Sequence, residues 1–315
     1  MSTLACDVGG TTIKLGFVQD GELVATRSIP AHSQGPLADA LPRIREALGE
    51  LCDEAGVEFA GCRGIGMGFP ALVNHDAGRV IDHYGKFTDA PDVDLNGWAR
   101  DVLGLPLAAE NDARLALIGE WRHGAGQSCD NLAIVTLGTG IGTAVITEGH
   151  VLRGPNYQAG NLCSHLTINP NGRRCSCGNI GCVEAESGSQ YLGAIAGETP
   201  GFSESTLAGV SRLDYQQIFE HAKVGDRVAQ RMRDHAVGCW AVLCVNLIHA
   251  FDVQRIILGG GIMASAEDIL PAVRRHVEQH AHTPHHEVDI AEADRPEHMA
   301  LLGCEWLVQE KLNQA

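Results

Sequence analysis

Apolar residues in this chain come in short runs that stop at glycine. Thr3-Leu4-Ala5-Cys6-Asp7-Val8 reads as a buried strand that breaks into Gly9-Gly10-Thr11-Thr12, and a second strand follows over 13–18. Asp20-Gly21 is a hairpin turn into a third strand near 23–28. Leu37, Leu41, Ile44, Leu48 and Leu51 then recur at helical spacing, as in an amphipathic helix. A strand over 64–68 ends in Phe69-Pro70-Ala71, and the polar, turn-rich residues 74–97 predict a loop around short strands. A helix near 97–103 leads to a strand at 107–109, and Glu110-Asn111-Asp112-Ala113 opens a helix to about Trp121.

The plan then starts again. Residues 131–152 repeat strand, Gly-Thr turn, strand, x-Gly hairpin, strand; Gly10-Thr11 matches Gly138-Thr139 and Gly21 matches Gly149, the same offset each time. A repeat of this period predicts two related lobes with a ligand cleft between them. Beyond it the pattern predicts helices over 184–196, 214–221, 226–250 and 266–280, a polar loop over 197–213, strands at 255–258 and 287–290, and a last helix near 298–311. The boundaries expected are a small lobe over 1–112, rejoined by the C-terminal helix of 298–315, and a large lobe over 113–297.

Composition narrows the partners. The chain has 315 residues, 44% of them hydrophobic, long enough for about two domains, and a formal net charge of -16. Lys and Arg are not clustered, so neither nucleic acid nor an anionic membrane is expected as a partner. The apolar run 240–251, interrupted by Asn246 and His249, is too short to span a bilayer and reads as a buried helix. No signal-peptide pattern opens the chain, and most of its 11 cysteines are scattered, as expected of free thiols in a reducing cytoplasm.

Two sets of residues carry chemistry. His165, Cys175, Cys177 and Cys182 lie in a loop rich in Gly and Pro, and four imidazole and thiolate ligands with no obvious fifth predict a closed structural zinc site. Three glycine turns follow strands: Gly9-Gly10-Thr11, Gly138-Thr139-Gly140 and Gly259-Gly260-Gly261. Glycine lets backbone N–H groups approach phosphate oxygens, yet neither the P-loop nor the dinucleotide fingerprint is present. A single such turn also suits a plain hairpin; two of the three related by a repeat fit a nucleotide. Read from the residues alone, Asn111 or Asp112 also suits a helix N-cap, and Asp7 a turn at a strand end.

His165 followed by Cys175-Ser-Cys177-Gly-x-x-Gly-Cys182-x-Glu184 resembles the zinc motif of the ROK family, and the resemblance runs from Asp7 to Gly261. It implies an α/β fold of two RNase H-like, actin-like ATPase lobes and a sugar kinase using ATP, Mg2+ and a structural Zn2+. The acceptor it implies is a hexose, at the 6-hydroxyl. Asp7-x-Gly9-Gly10-Thr11-x-x-Lys14 is similar to the family's first phosphate loop, which implies nucleotide contacts for Asp7, Gly9, Gly10, Thr11 and Lys14, joined by Gly138, Thr139, Gly140, Gly260 and Gly261. Glu110-Asn111-Asp112-Ala113 resembles the motif that makes Asp112 the base and Asn111 a sugar contact. His165 and Glu184 would add sugar contacts, and a homodimer or homotetramer is implied.

Other family members are sugar-sensing repressors with an N-terminal DNA-binding domain; with a strand expected from residue 3, no such domain is expected here. Two departures bear on the acceptor. Where the family reads Ala-Gly-Glu-x-Gly-His, this chain reads Ala159-Gly160-Asn161-Leu162-Cys163-Ser164-His165, without the glutamate and with one residue more. The segment from Lys86-Phe87-Thr88-Asp89 to Trp98 also departs, leaving Lys86 or Asp89 as candidate substrate contacts beside a plain solvated loop. A ketose, a polyol, an N-acylhexosamine or a sugar-binding protein without catalysis are the alternatives this opens.

Overall fold

The computed structural model describes residues 2–314. The chain divides into two compact units: Met1–Ser128 with Arg153–Ala159 and Asp294–Ala315, and Cys129–Leu152 with Gly160–Ala293.

The first unit opens on β1 (Ser2–Val8), β2 (Thr12–Gln19) and β3 (Glu22–Pro30), followed by α1 (Leu37–Ala55) and β4 (Cys62–Phe69). A small hairpin, β5 (Leu72–Asn74) and β6 (Arg79–Asp82), precedes α2 (Leu95–Trp98), β7 (Leu107–Asn111) and α3 (Asp112–His123). The sheet order is β3-β2-β1-β4-β7, with β1, β4 and β7 parallel. In β1 every described residue except Asp7 is buried, as expected of a run apolar on both faces. The expected helix near 97–103 is α2 continued by a wider π-helical turn over Ala99–Leu103.

The second unit contains β8 (Leu132–Leu137), β9 (Ile141–Thr147), β10 (His150–Val151), α4 (Val183–Ser187), α5 (Leu192–Glu198), α6 (Tyr215–Lys223), α7 (Arg227–Phe251), β11 (Arg255–Gly259), α8 (Ala266–His280) and β12 (Asp289–Glu292). Its sheet order, β10-β9-β8-β11-β12, is the order of the first sheet, so the repeat in the sequence is a repeat of topology. Helix α7 is long and apolar enough to cross a membrane by those measures, but Trp240, Leu243 and Leu247 on it are fully buried in this unit's core. The single helix expected over 184–196 is two helices. Gly188 is extended, with φ -76° and ψ 143°, and a short 3-10 turn over Ser189–Tyr191 separates α4 from α5.

The last helix, α9 (Met299–Gln314), belongs to the first unit and packs on β1, β4 and α3. Helices α3 and α9 approach so closely that a Cβ on Gly119 would stand 1.9 Å from the Met299 carbonyl oxygen, and one on Gly303 2.3 Å from that of Leu115. This packing puts α3 in the first unit, whereas the boundary expected at residue 112 would have given it to the second.

Candidate active site and metal centre

In the first unit, candidate residues collect at the carboxyl ends of parallel strands, where open α/β sheets bind ligands. In the pairing of β1 with β4, Asp7 is opposite Gly68; in that of β4 with β7, Gly68 is opposite Glu110 and Phe69 opposite Asn111. A Cβ on Gly68 would lie 3.4 Å from Asp7 Oδ1 and 3.9 Å from the Asp112 Cα, so the two aspartates flank this glycine. Burial and the charge of Asp112 push the Asp7 carboxyl up to about 6, against the pull of Lys14. Lys14 sits opposite Asp7 on β2 and donates to the Glu297 carbonyl oxygen at 3.4 Å. The turn itself closes through Gly9 N donating to Thr12 O at 3.0 Å, with Gly10 half-buried and Thr11 exposed.

Asn111 is the N-cap of α3. Its Oδ1 accepts from the N–H groups of Ala113 (3.0 Å) and Arg114 (3.2 Å), and its Nδ2 donates to Ala71 O (3.1 Å) and to Asp112 Oδ1 (2.9 Å). The capping role open in the sequence is therefore real, and it orients Asp112 as well. Asp112 Oδ1 also accepts from Ala113 N at 2.8 Å, which leaves Oδ2 outside these bonds. Burial raises the Asp112 pKa, opposed by the Ala113 N–H, by the Lys86 ammonium and by Asn111. A carboxylate raised toward neutrality accepts a proton more readily than an ordinary surface one.

The loop that departs from the family pattern separates its two candidate substrate contacts, Asp89 and Lys86. Asp89 is structural: its carboxylate accepts from the N–H groups of Leu37 and Ala38 at the start of α1. Lys86 instead lies on the glycine turn, where a Cβ on Gly10 would meet its Cε at 3.0 Å and its Nζ at 3.2 Å.

In the second unit, the other two glycine turns come together. Gly260 has φ +90°, and a Cβ there would stand 2.3 Å from the Leu137 carbonyl oxygen, directly before Gly138. Gly138 N donates to Gly140 O at 3.0 Å. Glu184 reaches the same turn: its Oε2 accepts from Ile141 N at 3.1 Å, and a Cβ on Gly140 would be 2.7 Å from that oxygen. Gln190 holds both, its Nε2 donating to Glu184 Oε1 and its N–H to Thr139 O, each at 3.0 Å. No spacing rule marks Gln190 in the sequence, because its role depends on the break at Gly188.

Asn161, standing where the family glutamate is expected, faces inward. Its Nδ2 donates to Thr143 O at 3.2 Å and its backbone carbonyl oxygen accepts from Thr143 Oγ1 at 3.0 Å. A 3-10 turn over Cys163–His165 brings the chain to His165.

His165, Cys175, Cys177 and Cys182 form one cluster, their ligand atoms all within 4.8 Å of one another. Tetrahedral zinc, with bonds of about 2.3 Å to sulfur and 2.0–2.1 Å to nitrogen, sets ligand edges of about 3.8 Å between two sulfurs and about 3.6 Å between sulfur and nitrogen. Cys177 and Cys182 Sγ are 3.7 Å apart, and Cys175 Sγ is 3.5 Å from His165 Nδ1. The first distance is also far beyond the ~2.05 Å of a disulfide. Asn179 Nδ2 donates toward Cys182 Sγ (3.4 Å) and the His165 carbonyl oxygen (3.2 Å), and Tyr191 OH lies 3.7 Å from Cys175 Sγ. The donor set and its edges fit a zinc ion.

A family model described as ROK family matches residues 3–311. The glucokinase of Halalkalibacterium halodurans is 31% identical over 286 residues, covering 87% of this chain and 84% of that protein. The N-acetylmannosamine kinase of Escherichia coli O157:H7 is 31% identical over 317 residues, covering 99% and 100%. A solved ROK family glucokinase from Streptomyces griseus, in complex with glucose and AMPPNP, superposes with a TM-score of 0.80 at 26% identity, over 98% of this chain and 100% of that one.

Proposed function

Because the chain belongs to the ROK family, we infer that it is an ATP-dependent sugar kinase built on the two-lobed actin-like ATPase fold. We propose further that it transfers the γ-phosphate to a hexose hydroxyl, the 6-hydroxyl in the manner of a glucokinase, with Asp112 as the base. The observation that supports this most is the pairing of Asp7 and Asp112 on either side of Gly68, beside the Gly9-Gly10-Thr11 turn. Phosphoryl transfer asks a protein mainly to position the groups, to neutralise charge and to accept one proton.

The sugar hydroxyl gives its proton to Asp112 Oδ2 as its oxygen attacks the γ-phosphorus, and ADP leaves with the electron pair of the broken bond. Asn111 holds Asp112 Oδ1 and so fixes the direction of Oδ2. Gly9, Gly10, Thr11 and Lys14 in the first unit, and Gly138, Thr139, Gly140, Gly260 and Gly261 in the second, are the proposed nucleotide residues. Asp7 would hold the magnesium ion that accompanies ATP, which supplies charge neutralisation at the phosphates. Asn111, His165 and Glu184 are the proposed acceptor contacts. Zinc on His165, Cys175, Cys177 and Cys182 would fix the loop that carries His165 and leads into Glu184.

With Asn161 turned onto Thr143, the usual glutamate contact to a sugar hydroxyl is missing, which favours testing ketoses and polyols beside hexoses and N-acylhexosamines. The deciding experiment measures ADP release by zinc-loaded protein with MgATP across that panel, with Asp112→Asn alongside. Turnover with one sugar, lowered about 10²- to 10⁴-fold in the variant, supports the reading. Silence across the panel from folded, zinc-containing protein would favour a sugar-binding protein without catalysis. The family resemblance also supports a homodimer or homotetramer, the scattered free thiols a cytoplasmic setting, and the acidic charge neither a nucleic-acid nor a membrane partner; light scattering on the purified protein tests the oligomer.

A further inference from the structure

Lys86 stands on a loop whose backbone is bent to present it. Tyr84, Gly85 and Phe87 have φ of +45°, +79° and +48°, a region that non-glycine residues adopt at a cost. Phe87 is buried in the first unit's core, and its N–H donates to Ser33 O at 2.7 Å, while Ser33 Oγ donates to Gly10 O at 2.6 Å. The loop and the glycine turn are thus tied through one residue, Ser33. The side chain of Lys86 lies across Gly10, and its charge acts on Asp112. Among the described residues no carboxylate comes within ion-pair distance of its ammonium. A half-buried ammonium without a carboxylate, held over a turn of backbone N–H groups and beside a proton acceptor, has the chemistry of a phosphate ligand: a compact charge directed at an anion.

We propose that Lys86 contacts the terminal phosphoryl group of ATP and stabilises its charge during transfer, a reading that rests on the kinase function above. A contact to the inner phosphates alone is disfavoured by the position of Lys86, because the charge that reaches Asp112 is at the end of the nucleotide that meets the acceptor. The strain at Tyr84 and Phe87 and the Ser33 link explain why the lysine is held there and does not extend into solvent.

The test compares wild type, Lys86→Met and Lys86→Arg, each shown to be folded, by calorimetric titration with MgATP and with MgADP. The proposal expects Lys86→Met to lose about 10-fold or more in MgATP affinity, with MgADP affinity within about two-fold of wild type, and Lys86→Arg to recover most of the loss. With any accepted sugar, kcat should fall in Lys86→Met while the sugar KM holds. Equal weakening of both nucleotides, or of neither, in a wild type that prefers MgATP overturns the role of Lys86 and leaves the kinase reading standing. A rise in acceptor KM with nucleotide affinities unchanged also overturns it, in favour of an anionic group on the acceptor. A wild type that binds neither nucleotide overturns both.

Discussion

Arg153 Nε lies 2.7 Å from Oε2 of Glu110, a carboxylate with no exposed surface. The other oxygen of Glu110 accepts from the N–H of Asn111 at 2.8 Å and from Arg114 Nη1 at 3.3 Å. Arg114 in turn donates to the carbonyls of Tyr157 (2.8 Å) and Ala159 (2.9 Å), and Arg153 Nη2 pairs with Glu310 on α9 at 2.8 Å. The segment Arg153–Ala159, whose sequence neighbours on both sides belong to the second unit, is thereby pinned to the strand–helix junction that carries Asn111 and Asp112.

Glu110→Gln removes the carboxylate that Arg114 and Arg153 share, so that Arg114 faces a neutral amide there while Arg153 keeps its pair with Glu310. Breaking a buried ion pair from one side costs about 3–5 kcal/mol. A domain of this size responds with a thermal midpoint lower by on the order of 10 °C. Glutamine keeps an oxygen for the Asn111 N–H and alanine does not, so kcat should fall further in Glu110→Ala than in Glu110→Gln at matched folding. Melting curves of both variants check the stability claim, and unchanged midpoints would show that water, not Glu110, satisfies the arginines.

Asp7 gives a pH dependence with a definite sign. Its carboxyl stands at about 6 in the fold against an ordinary value of 3.8, so the folded chain holds this proton more tightly than the unfolded chain does. The effect is therefore a destabilisation: absent below about pH 4, growing between pH 4 and 6, and complete above, at up to about 3 kcal/mol in the ligand-free protein. Asp7→Asn should melt higher than wild type at pH 8 without divalent cations, with the difference closing toward pH 4, while kinase activity is lost. A variant that melts lower at pH 8 would mean that Asp7 holds the sheet together and not a ligand.

Strands β1, β8 and β11 were legible because each is a short apolar run that stops at glycine, and the repeat of the Gly-Thr turn even anticipated the shared sheet order. The metal cluster was legible because its ligands are close in sequence. What escaped depends on distant partners. Nothing near Glu110 in the chain points to Arg153 or Glu310, and nothing near Lys86 points to Gly10. The helix expected over 184–196 broke because Gly188 turns the chain so that Gln190 meets Thr139 and Tyr191 meets the metal loop, a tertiary demand that outweighs the helical period.

The groups around the metal cluster give the third prediction. Asn179 and Tyr191 touch ligands without belonging to the set, and partners of that kind typically change metal affinity about 10- to 100-fold. Asn179→Ala and Tyr191→Phe should weaken zinc binding in that range in competition with a chromophoric chelator, the first more than the second because it contacts both Cys182 and the His165 carbonyl. One zinc per chain is expected from metal analysis. Its removal should lower the thermal midpoint and expose the thiols of Cys175 and Cys182, which are buried in the assembled loop.

Restoring the family glutamate by Asn161→Glu should not restore a glucokinase-like site. The asparagine is 7% exposed; its side-chain Nδ2 donates to the Thr143 carbonyl oxygen and its backbone carbonyl accepts from the Thr143 hydroxyl, which also accepts from the N–H of Cys163 at 3.1 Å. A glutamate there would bring a carboxylate against the Thr143 carbonyl oxygen in place of a donor, and a buried polar group left without its partner costs about 1–3 kcal/mol, more when charged. The 3-10 turn over Cys163–His165 follows directly on the backbone from which that side chain would have to turn outward. The variant should therefore melt several degrees lower with no gain in the kcat/KM for glucose. A large gain in glucose turnover at unchanged stability would show instead that the pocket needs only the carboxylate, and that the acceptor differs from glucose by that one contact.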